Sequence, residues 1–408
     1  MQRLFDQKKY FIIASACFFL LIFIFHINGN EILAAYRLKI IYKFYKVLNK
    51  LESSNEFKYS ATEFVQDSSI SKPVMAKESV YFPDQLLVAE KNGIIKKIDP
   101  VHHTHEIVLD ISRKNSEEQL IEFYGFEFHP KDSVLAIAYT SFNKRKKQTQ
   151  NIELIPFNGK KLKYTFRKKV YQIPYSNAHF GGALLFDSLG HLFISTADYT
   201  YGDGENYCQS LENLYGKVLR IKIDALTVTI PEDNPFYNLK NACREIWAYG
   251  FRNPFRMTFT ENSQRIILGD VGHNKIEEIN IVEAGKNYGW SIKEGTSFFK
   301  ELSINKKFIN AVYEYKHGTD GFSVTGGIVY KGDKFPELKN KYIFGDYILG
   351  NIWALNLAEK KPKPSLLLTN ACGVTSFYET KNGDIIWTDL VKSKIYKLIN
   401  LNESLPIR

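Results

Sequence analysis

The chain has 408 residues, of which 44% are hydrophobic, so a folded body is expected and a disordered chain is excluded. Its net charge is +10, but residues 1–50 alone carry +6 and the remaining residues only +4. A body this close to neutral lacks the basic surface of a nucleic-acid-binding protein, and its many aromatic residues favour strands over helices.

The N-terminal segment predicts a membrane anchor over residues 1–30. Residues 10–27 form an uncharged apolar run, which is near the lower limit for a helix that crosses about 30 Å of hydrocarbon. Basic residues precede the run, as in a signal sequence. Cys17 follows small residues, as in a lipoprotein cleavage box, but the chain stays apolar after it. We therefore expect an uncleaved transmembrane helix.

Residues 31–79 are interpreted as a basic amphipathic stalk and linker. The segment YRLKIIYKFYKVLNKL has a helical apolar period and suits either a helix lying on the membrane surface or a plain stalk. Its basic residues count against export under the positive-inside rule, although they begin about ten residues beyond the span. We expect a membrane-anchored protein whose body lies on the exported face, periplasmic or extracellular.

A hairpin pattern recurs six times in residues 80–402. Each copy is a short apolar strand, a turn rich in Gly, Asp or Asn, and a second strand with alternating Ile and Leu. The copies are LLVAEKNGIIKKID, VLAIAYTS with NIELIPF, HLFISTAD with KVLRIKID, RIILGDVGHNKIEEINIV, KYIFGDYILGNIWALNL and DIIWTDLVKSKIYKLI. The repeat predicts an all-β fold, a six-bladed β-propeller, with an irregular β-sandwich as the alternative. The long connections 196–217 and 225–245 are expected to line a ligand site.

Four residues in this region are candidates for chemistry. His179 precedes a Gly-Gly pair, where the backbone can approach a ligand, and histidine is a natural base near neutral pH; a structural histidine at a strand start is the alternative. Asp198 ends the following strand. Arg252 and Asn253 lie in WAYGFRNPF, where Arg252 either stabilises negative charge on a bound oxygen or forms a salt bridge across the channel.

Other patterns are weaker. Asp270 and Gly272, in LGDVGH, suit oxygen ligands of a hard cation such as Ca²⁺, and the oxygen-rich loop DYTYGDGEN is either an ion site or a solvated loop. Cys208 and Cys243 either pair in an oxidising compartment or are small core residues. The sequence contains no GxGxxG after a strand, no P-loop and no GxSxG, so nicotinamide, ATP and serine-hydrolase chemistry have no support.

Several long motifs occur together and in order over residues 80–400. They are HFGGALLFDSLGHLFISTAD, GKVLRIKID, IPEDNPF, EIWAYGFRNPF, GDVGHNKIEEINIV, NYGW, SVTGGIVYKG, YIFGDYILGNIW and VTSFYETKNGDIIW. This series resembles the glucose/sorbosone dehydrogenase family, and it is also similar to the propeller of hedgehog-interacting-protein-like proteins. The resemblance implies a six-bladed propeller that holds pyrroloquinoline quinone (PQQ).

The resemblance also implies roles for individual residues. His179 matches the base that takes the proton of the sugar hydroxyl, before hydride passes to PQQ. Asp198 matches a catalytic-site aspartate, and Arg252 and Asn253 match the pair that contacts the quinone, so Arg252 serves in both catalysis and cofactor binding.

A calcium site is implied at one turn. Gly272 matches a residue whose backbone carbonyl binds the Ca²⁺ next to PQQ, and the carbonyl of His273 is the expected second ligand. The family's glucose dehydrogenases have proline at that second position.

The chain departs from the family where PQQ carboxylates are held. Basic residues of the glucose dehydrogenases are replaced within YILG (347–350) and at Gly373, Val374 and Thr375, and Ala183 replaces a further arginine. Several lost charge-assisted contacts, at about 1.5–3 kcal/mol each, are enough to abolish cofactor binding.

Two hypotheses follow. The first is a membrane-anchored quinoprotein that oxidises an aldose and passes electrons to a membrane quinone or cytochrome. The second is an inactive propeller that binds a glycan or protein partner on the same face. Fold resemblance alone does not separate them.

Overall fold

The computed structural model describes residues 58–112, 118–158, 161–176, 179–260, 265–300 and 307–401. Within these residues the strands build six large antiparallel sheets and one two-stranded hairpin. The strands of each large sheet are hydrogen-bonded largely in chain order. The sheets are the blades of a propeller, and the predicted all-β, six-bladed architecture is confirmed.

The strands are numbered in chain order. The first strand is β1 (Tyr59–Glu63). Blade one contains β2 (Pro73–Ser79), β3 (Phe82–Glu90), β4 (Ile94–Asp99) and β5 (Thr104–Asp110). Blade two contains β6 (Gln119–Phe128), β7 (Val134–Phe142), β8 (Gln148–Asn158), β9 (Lys161–Leu162) and β10 (Lys168–Tyr175). Blade three contains β11 (Leu184–Phe186), β12 (His191–Thr196), β13 (Lys217–Asp224), β14 (Thr227–Thr229) and β15 (Ile246–Tyr249).

The second half of the chain completes the ring. Blade four contains β16 (Pro254–Phe259), β17 (Ile266–Asp270), β18 (Ile276–Val282) and β21 (Tyr313–Lys316), with the small hairpin β19 (Lys293–Glu294) and β20 (Ser297–Phe298) before its last strand. Blade five contains β22 (Val324–Val329), β23 (Tyr342–Asp346), β24 (Ile352–Leu355) and β25 (Pro364–Leu368). Blade six contains β26 (Val374–Glu379), β27 (Ile385–Asp389) and β28 (Lys394–Asn400). Three 3₁₀ helices are Tyr164–Phe166, Tyr207–Gln209 and Pro336–Leu338.

The ring is closed by strand β1. It pairs antiparallel with β28, with Tyr59 opposite Asn400, and forms the outermost strand of blade six. Because β1 and β2 fall inside residues 31–79, which are predicted to form the stalk and linker, the propeller begins earlier than predicted. The polar, short β1 has no hairpin partner nearby in sequence, so its strand pattern is not recognisable locally.

Hydrophobic cores lie between neighbouring blades. Buried apolar residues form six clusters in the described part of the chain, and each cluster joins two adjacent blades. Period-2 alternation places one face of each strand against the next blade, and each fully buried Leu, Ile or Phe stabilises this packing by about 1.5–3 kcal/mol.

Arg256, on β16, bridges the central channel. Its guanidinium is buried and donates to the carbonyls of Thr375, Tyr124 and Val74 at 2.8, 2.9 and 2.8 Å. These carbonyls belong to blades six, two and one. Burial lowers the pKa of Arg256 to about 10, so the side chain stays charged at neutral pH. It lines a cavity of about 560 Å³ at one end of the channel.

The predicted membrane segment lies outside the described residues. In the part of the chain that the structure describes, no helix has the length and apolar character needed to span a bilayer. Residues 1–57, which include the predicted anchor and amphipathic stalk, are not among them.

Candidate functional site

The predicted site residues meet on one face of the ring, in loops of blades three and four. His179 lies just before β11, where Gly181 and Gly182 have φ angles of +64° and +90°. A Cβ atom at Gly182 would lie 2.9 Å from the ring of Tyr124, closer than real side chains approach. The Gly-Gly pair is therefore required for close packing against Tyr124 beside His179, whereas the close approach to a ligand that the sequence predicts stays a prediction.

His179 and Asp198 form a buried pair. Nδ1 of His179 lies 2.8 Å from Oδ1 of Asp198, whose side chain is fully buried. The indole N–H of Trp290 donates to the second oxygen of the same carboxylate at 3.2 Å. This carboxylate therefore favours the tautomer in which Nδ1 carries the proton, and it leaves Nε2 as the basic nitrogen.

Burial lowers the pKa of His179, the Asp198 hydrogen bond opposes this effect, and the charge of Arg252 adds to it. The imidazole is therefore neutral at pH 7. A neutral histidine with an oriented Nδ1–H is the form that accepts a proton in general base catalysis.

Arg252 stands beside the basic nitrogen. Its Nη2 lies 3.3 Å from Nε2 of His179 and 3.3 Å from Nδ1 of His273. Its Nη1 donates to the carbonyls of Val271 and Gly272. The alternative of a salt bridge across the channel is not what the structure shows, because these contacts are carbonyls and imidazoles on the same face.

Asp270 holds the loop that carries Arg252. Its carboxylate accepts hydrogen bonds from the backbone N–H groups of Arg252 and Asn253, the latter at 2.7 Å. Burial, together with nearby Glu278, raises the pKa of Asp270. Asp270 therefore serves as a loop anchor, and its role as an oxygen ligand of a cation stays a prediction.

Asn253 connects the site with the channel. Its Oδ1 accepts a hydrogen bond from the N–H of Gly181 at 3.2 Å. Its side chain also lines a cavity of about 210 Å³, together with residues of several blades. Arg252, Asn253, His179 and Asp198 are thus brought together as predicted.

The predicted calcium ligands lie at the edge of this group. The Gly272 carbonyl accepts a hydrogen bond from the cationic Arg252, so in this conformation one of its two lone pairs is already used. Among the described residues no three His, Cys, Asp or Glu side chains are grouped to hold a metal ion. The Ca²⁺ site at Gly272 and His273 stays a prediction.

An aromatic wall beside His179 and His273 is not among the features predicted from the sequence. The ring of Tyr201 meets His179 edge-on at 4.9 Å, and Trp290 and Phe299 lie 4.8 Å apart beside His273. Tyr201 is 53% exposed, so its ring offers an apolar face beside His179, whereas Trp290 is only 3% exposed. The motif NYGW, which contains Trp290, is the sequence signal for this feature, because it belongs to the motif series but has no predicted role.

The positions that depart from the family pattern also line the channel. Tyr347 and Thr375 face the 210 Å³ cavity, where the resemblance implies basic residues. Lys91 is the single basic residue of its lining, and its ammonium lies 3.2 Å from the carboxylate of Glu122. The lining is therefore close to neutral.

The two long connections of blade three behave differently. Residues 197–216 supply Asp198 and Tyr201 to the site. Residues 225–245 instead return along the outer side of the blade, where Asn234 donates to the carbonyls of Arg220 and Arg244. Cys208 and Cys243, which the sequence analysis allowed to pair, are both free thiols.

Comparison with known proteins places these features in context. A family model described as Glucose / Sorbosone dehydrogenase matches residues 77–385. The chain is 31% identical to the HIPL2 protein of Arabidopsis thaliana over 209 residues, which is 45% of this chain and 30% of that protein. It is 34% identical to aldose sugar dehydrogenase YliI of Escherichia coli strain K12 over 189 residues, 44% of this chain and 48% of that protein. The matched region thus spans less than half of each of these two relatives.

Solved structures show the same fold. The apo form of the soluble aldose sugar dehydrogenase of Escherichia coli superposes with a TM-score of 0.70 at 21% identity, covering 84% of this chain and 99% of that one. The PQQ-bound form of an aldose sugar dehydrogenase from Streptomyces coelicolor gives 0.65 at 18% identity, covering 85% and 99%.

Proposed function

The chain belongs to the glucose/sorbosone dehydrogenase family, and from this premise we propose that its His179 face binds an aldose and removes the proton of a sugar hydroxyl during oxidation. The observation that carries the proposal is the buried Asp198 carboxylate 2.8 Å from Nδ1 of His179. A propeller that only binds a partner has no need of a buried base oriented in this way.

The residues divide the work of the reaction. Nε2 of His179 accepts the hydroxyl proton, while Asp198 stabilises the imidazolium that forms. Arg252 lies 3.3 Å from this nitrogen and stabilises the negative charge that develops on the sugar oxygen. Tyr201, which is 53% exposed, contacts the apolar face of the sugar ring and keeps water away, while the buried Trp290 holds Asp198 through its indole N–H.

The cofactor proposed for this site is PQQ, and its two ends fit differently. The Arg252 and Asn253 side chains suit quinone oxygens, because the guanidinium of Arg252 stands beside His179 and Asn253 contacts the adjoining Gly181. When bound, the cofactor would accept the hydride from the sugar carbon whose hydroxyl loses its proton. The three carboxylates of PQQ fit poorly, because Lys91 of the channel cavity is already paired with Glu122. Calcium bound at the Gly272 carbonyl would share that oxygen with the guanidinium of Arg252.

The neutral cavity favours a second candidate function. A propeller without cations for the carboxylates would hold no PQQ and would use the same aromatic face for a glycan or protein partner. The two candidates differ in one measurable property, which is cofactor binding.

The deciding experiment is calorimetric titration of PQQ, with and without Ca²⁺, into the full chain, followed by dye reduction with a panel of aldoses. We expect binding, and reduction that falls at least about 100-fold in His179→Ala. His191→Ala is the matched control, since His191 pairs with Asp187 at 2.7 Å at the opposite end of β12. Absence of heat at PQQ concentrations on the order of 100 μM would favour the second candidate.

The membrane anchor is part of the same proposal. Residues 1–30 would hold the chain in a membrane with the propeller on the periplasmic or extracellular face, and electrons would pass to a membrane quinone or cytochrome. The apolar run at residues 10–27 supports this. Protease treatment of spheroplasts, in which the outer face of the cytoplasmic membrane is accessible, tests the orientation, because it should digest an exported propeller and spare a cytoplasmic one.

A further inference from the structure

Behind Arg252 lies a small internal cavity of about 10 Å³. Its walls include the side chains of Arg252, Glu294, Asp270 and Glu278. A cavity of this size is at the lower limit for one water molecule, and a water is stable there if it finds two to four polar partners.

Two buried polar atoms at this cavity lack partners. Nε of Arg252 and Oε2 of Glu294 form no hydrogen bond within the described chain. The two residues are 6% and 3% exposed, so bulk solvent does not satisfy these atoms. Leaving such a group unsatisfied is costly.

The other acids of the cavity already have partners. The carboxylate of Asp270 accepts the backbone N–H groups of Arg252 and Asn253. The carboxylate of Glu278 accepts hydrogen bonds from Gly295 and Asn280. Among these acids, Glu294 is therefore the one with a carboxylate oxygen, Oε2, that has no hydrogen-bond partner in the described residues.

The second oxygen of Glu294 has a separate task. Oε1 accepts four backbone N–H groups of the β17–β18 turn, those of residues 273 to 276, at 2.7 to 3.1 Å. Glu294 thus fixes the turn that carries His273.

We propose that one ordered water fills this cavity, accepts a hydrogen bond from Nε–H of Arg252 and donates one to Oε2 of Glu294. Water is the species of this size that both accepts and donates; a cation cannot accept from Nε–H. Glu294 is then a positioning residue, which holds the guanidinium of Arg252 through the water and the His273 turn directly.

The bridge also supplies countercharge. The guanidinium contacts carbonyls and imidazoles, which carry no negative charge. A carboxylate one water away therefore stabilises its positive charge without forming a direct ion pair. Arg252 therefore keeps its Nη2 atom directed at Nε2 of His179. The catalytic part of this role rests on the proposed function, whereas the position of the water does not.

A crystal structure of the protein that resolves ordered water is the first test. A water within about 2.7–3.2 Å of both Nε and Oε2 is expected. A dry cavity, or direct contact between Arg252 and Glu294, overturns the proposal.

NMR of Glu294→Gln is the second test. Glutamine keeps Oε1 for the turn and replaces the other oxygen with a donor. The amide resonances of residues 273–276 should persist, while the Nε–H resonance of Arg252 shifts and exchanges with solvent at least about tenfold faster, as expected when an internal hydrogen bond opens to solvent. Glu314→Gln is the matched control, because Glu314 holds Thr296 of the adjoining hairpin and does not line the cavity. An unchanged Arg252 resonance in Glu294→Gln contradicts the bridge.

Turnover separates this inference from the proposed function. If the chain oxidises an aldose, Glu294→Gln should lower kcat about tenfold, because Arg252 is misplaced, with little change in KM. If no aldose is oxidised, the proposed function fails, but the water and the Arg252 resonance still decide the inference.

Discussion

Nδ1 of His179 lies 2.8 Å from Oδ1 of Asp198, and these two residues lie in the connections that precede and follow the hairpin β11–β12. The pairing depends on the hairpin register, in which Leu184 lies opposite Ile194. A shift of one residue would turn Asp198 to the other face of the blade. The geometry of the site is therefore built into the pairing of blade three.

Asp198→Asn should abolish most of the activity while the fold persists. An asparagine of the same shape can present its amide to Nδ1, which favours the tautomer with the proton on Nε2 and removes the base. We expect kcat/KM for an aldose to fall by about 10²–10⁴, with an unchanged melting temperature within a few degrees. Asp187→Asn is the control, since Asp187 orients His191 in the same manner. Retention of full activity in Asp198→Asn would remove His179 as the base.

The pH dependence of activity follows from the lowered pKa of His179. Burial is the main cause, and the ordinary value is 6.5. The base is active when neutral, so the acidic limb of kcat/KM should lie below pH 6.5, with a plateau above it. NMR titration of the His179 ring gives the same pKa without turnover. A limb above pH 6.5 would contradict the assignment.

Glu278 should make the folded protein less stable as pH rises. Its pKa is raised to about 7 from an ordinary 4.5, chiefly by burial. The folded state therefore holds a proton that the unfolded state has lost between these values, and the free energy of unfolding falls as pH rises through that window. Glu278→Gln should reduce this slope, and relative to the parent it should gain on the order of 2 kcal/mol from pH 5 to pH 8.

The measurement for Glu278 is urea unfolding at pH 5 and pH 8. Glu283→Gln is the control, because Glu283 is exposed just after β18. Equal slopes in parent and Glu278→Gln would show that the carboxyl titrates normally in the folded protein.

Arg256→Met should destabilise the whole ring. The substitution leaves the carbonyls of Thr375, Tyr124 and Val74 without their donor, at about 1–3 kcal/mol for each unsatisfied group. We expect a drop of several degrees in Tm, measured by calorimetry, and increased exchange of amides in blades one, two and six. Arg265→Met, at an exposed arginine, should leave Tm unchanged. A similar Tm for both variants would show that Arg256 does not fasten the blades.

Much of the fold was predictable because the middle strands of each blade are long and apolar. The six hairpins recognised in the sequence are the second and third strands of the six blades, such as β3 with β4 and β27 with β28. The innermost strands were not recognised. They face the channel, and β11 has three residues while β22 contains two adjacent glycines, so their alternation is short or interrupted.

The site was predictable only in part. Each of the predicted site residues lies in a short motif that can be recognised from local sequence. They are His179, Asp198, Arg252 and Asn253. Trp290 meets Asp198 across 92 positions, and nothing local in NYGW marks that contact. Long-range partners of this kind depend on the ring closing correctly.

The pairing of β1 with β28 cannot form until the chain between the two strands has been synthesised. Tyr59 and Asn400 are separated by almost the whole chain, so about 340 residues must be made between the two strands. At roughly 5–20 residues per second this takes about 20–70 s. During this time β1 has no pairing strand and the blades already made are not closed into a ring. Because β1 is short and polar, it exposes little apolar surface during this time.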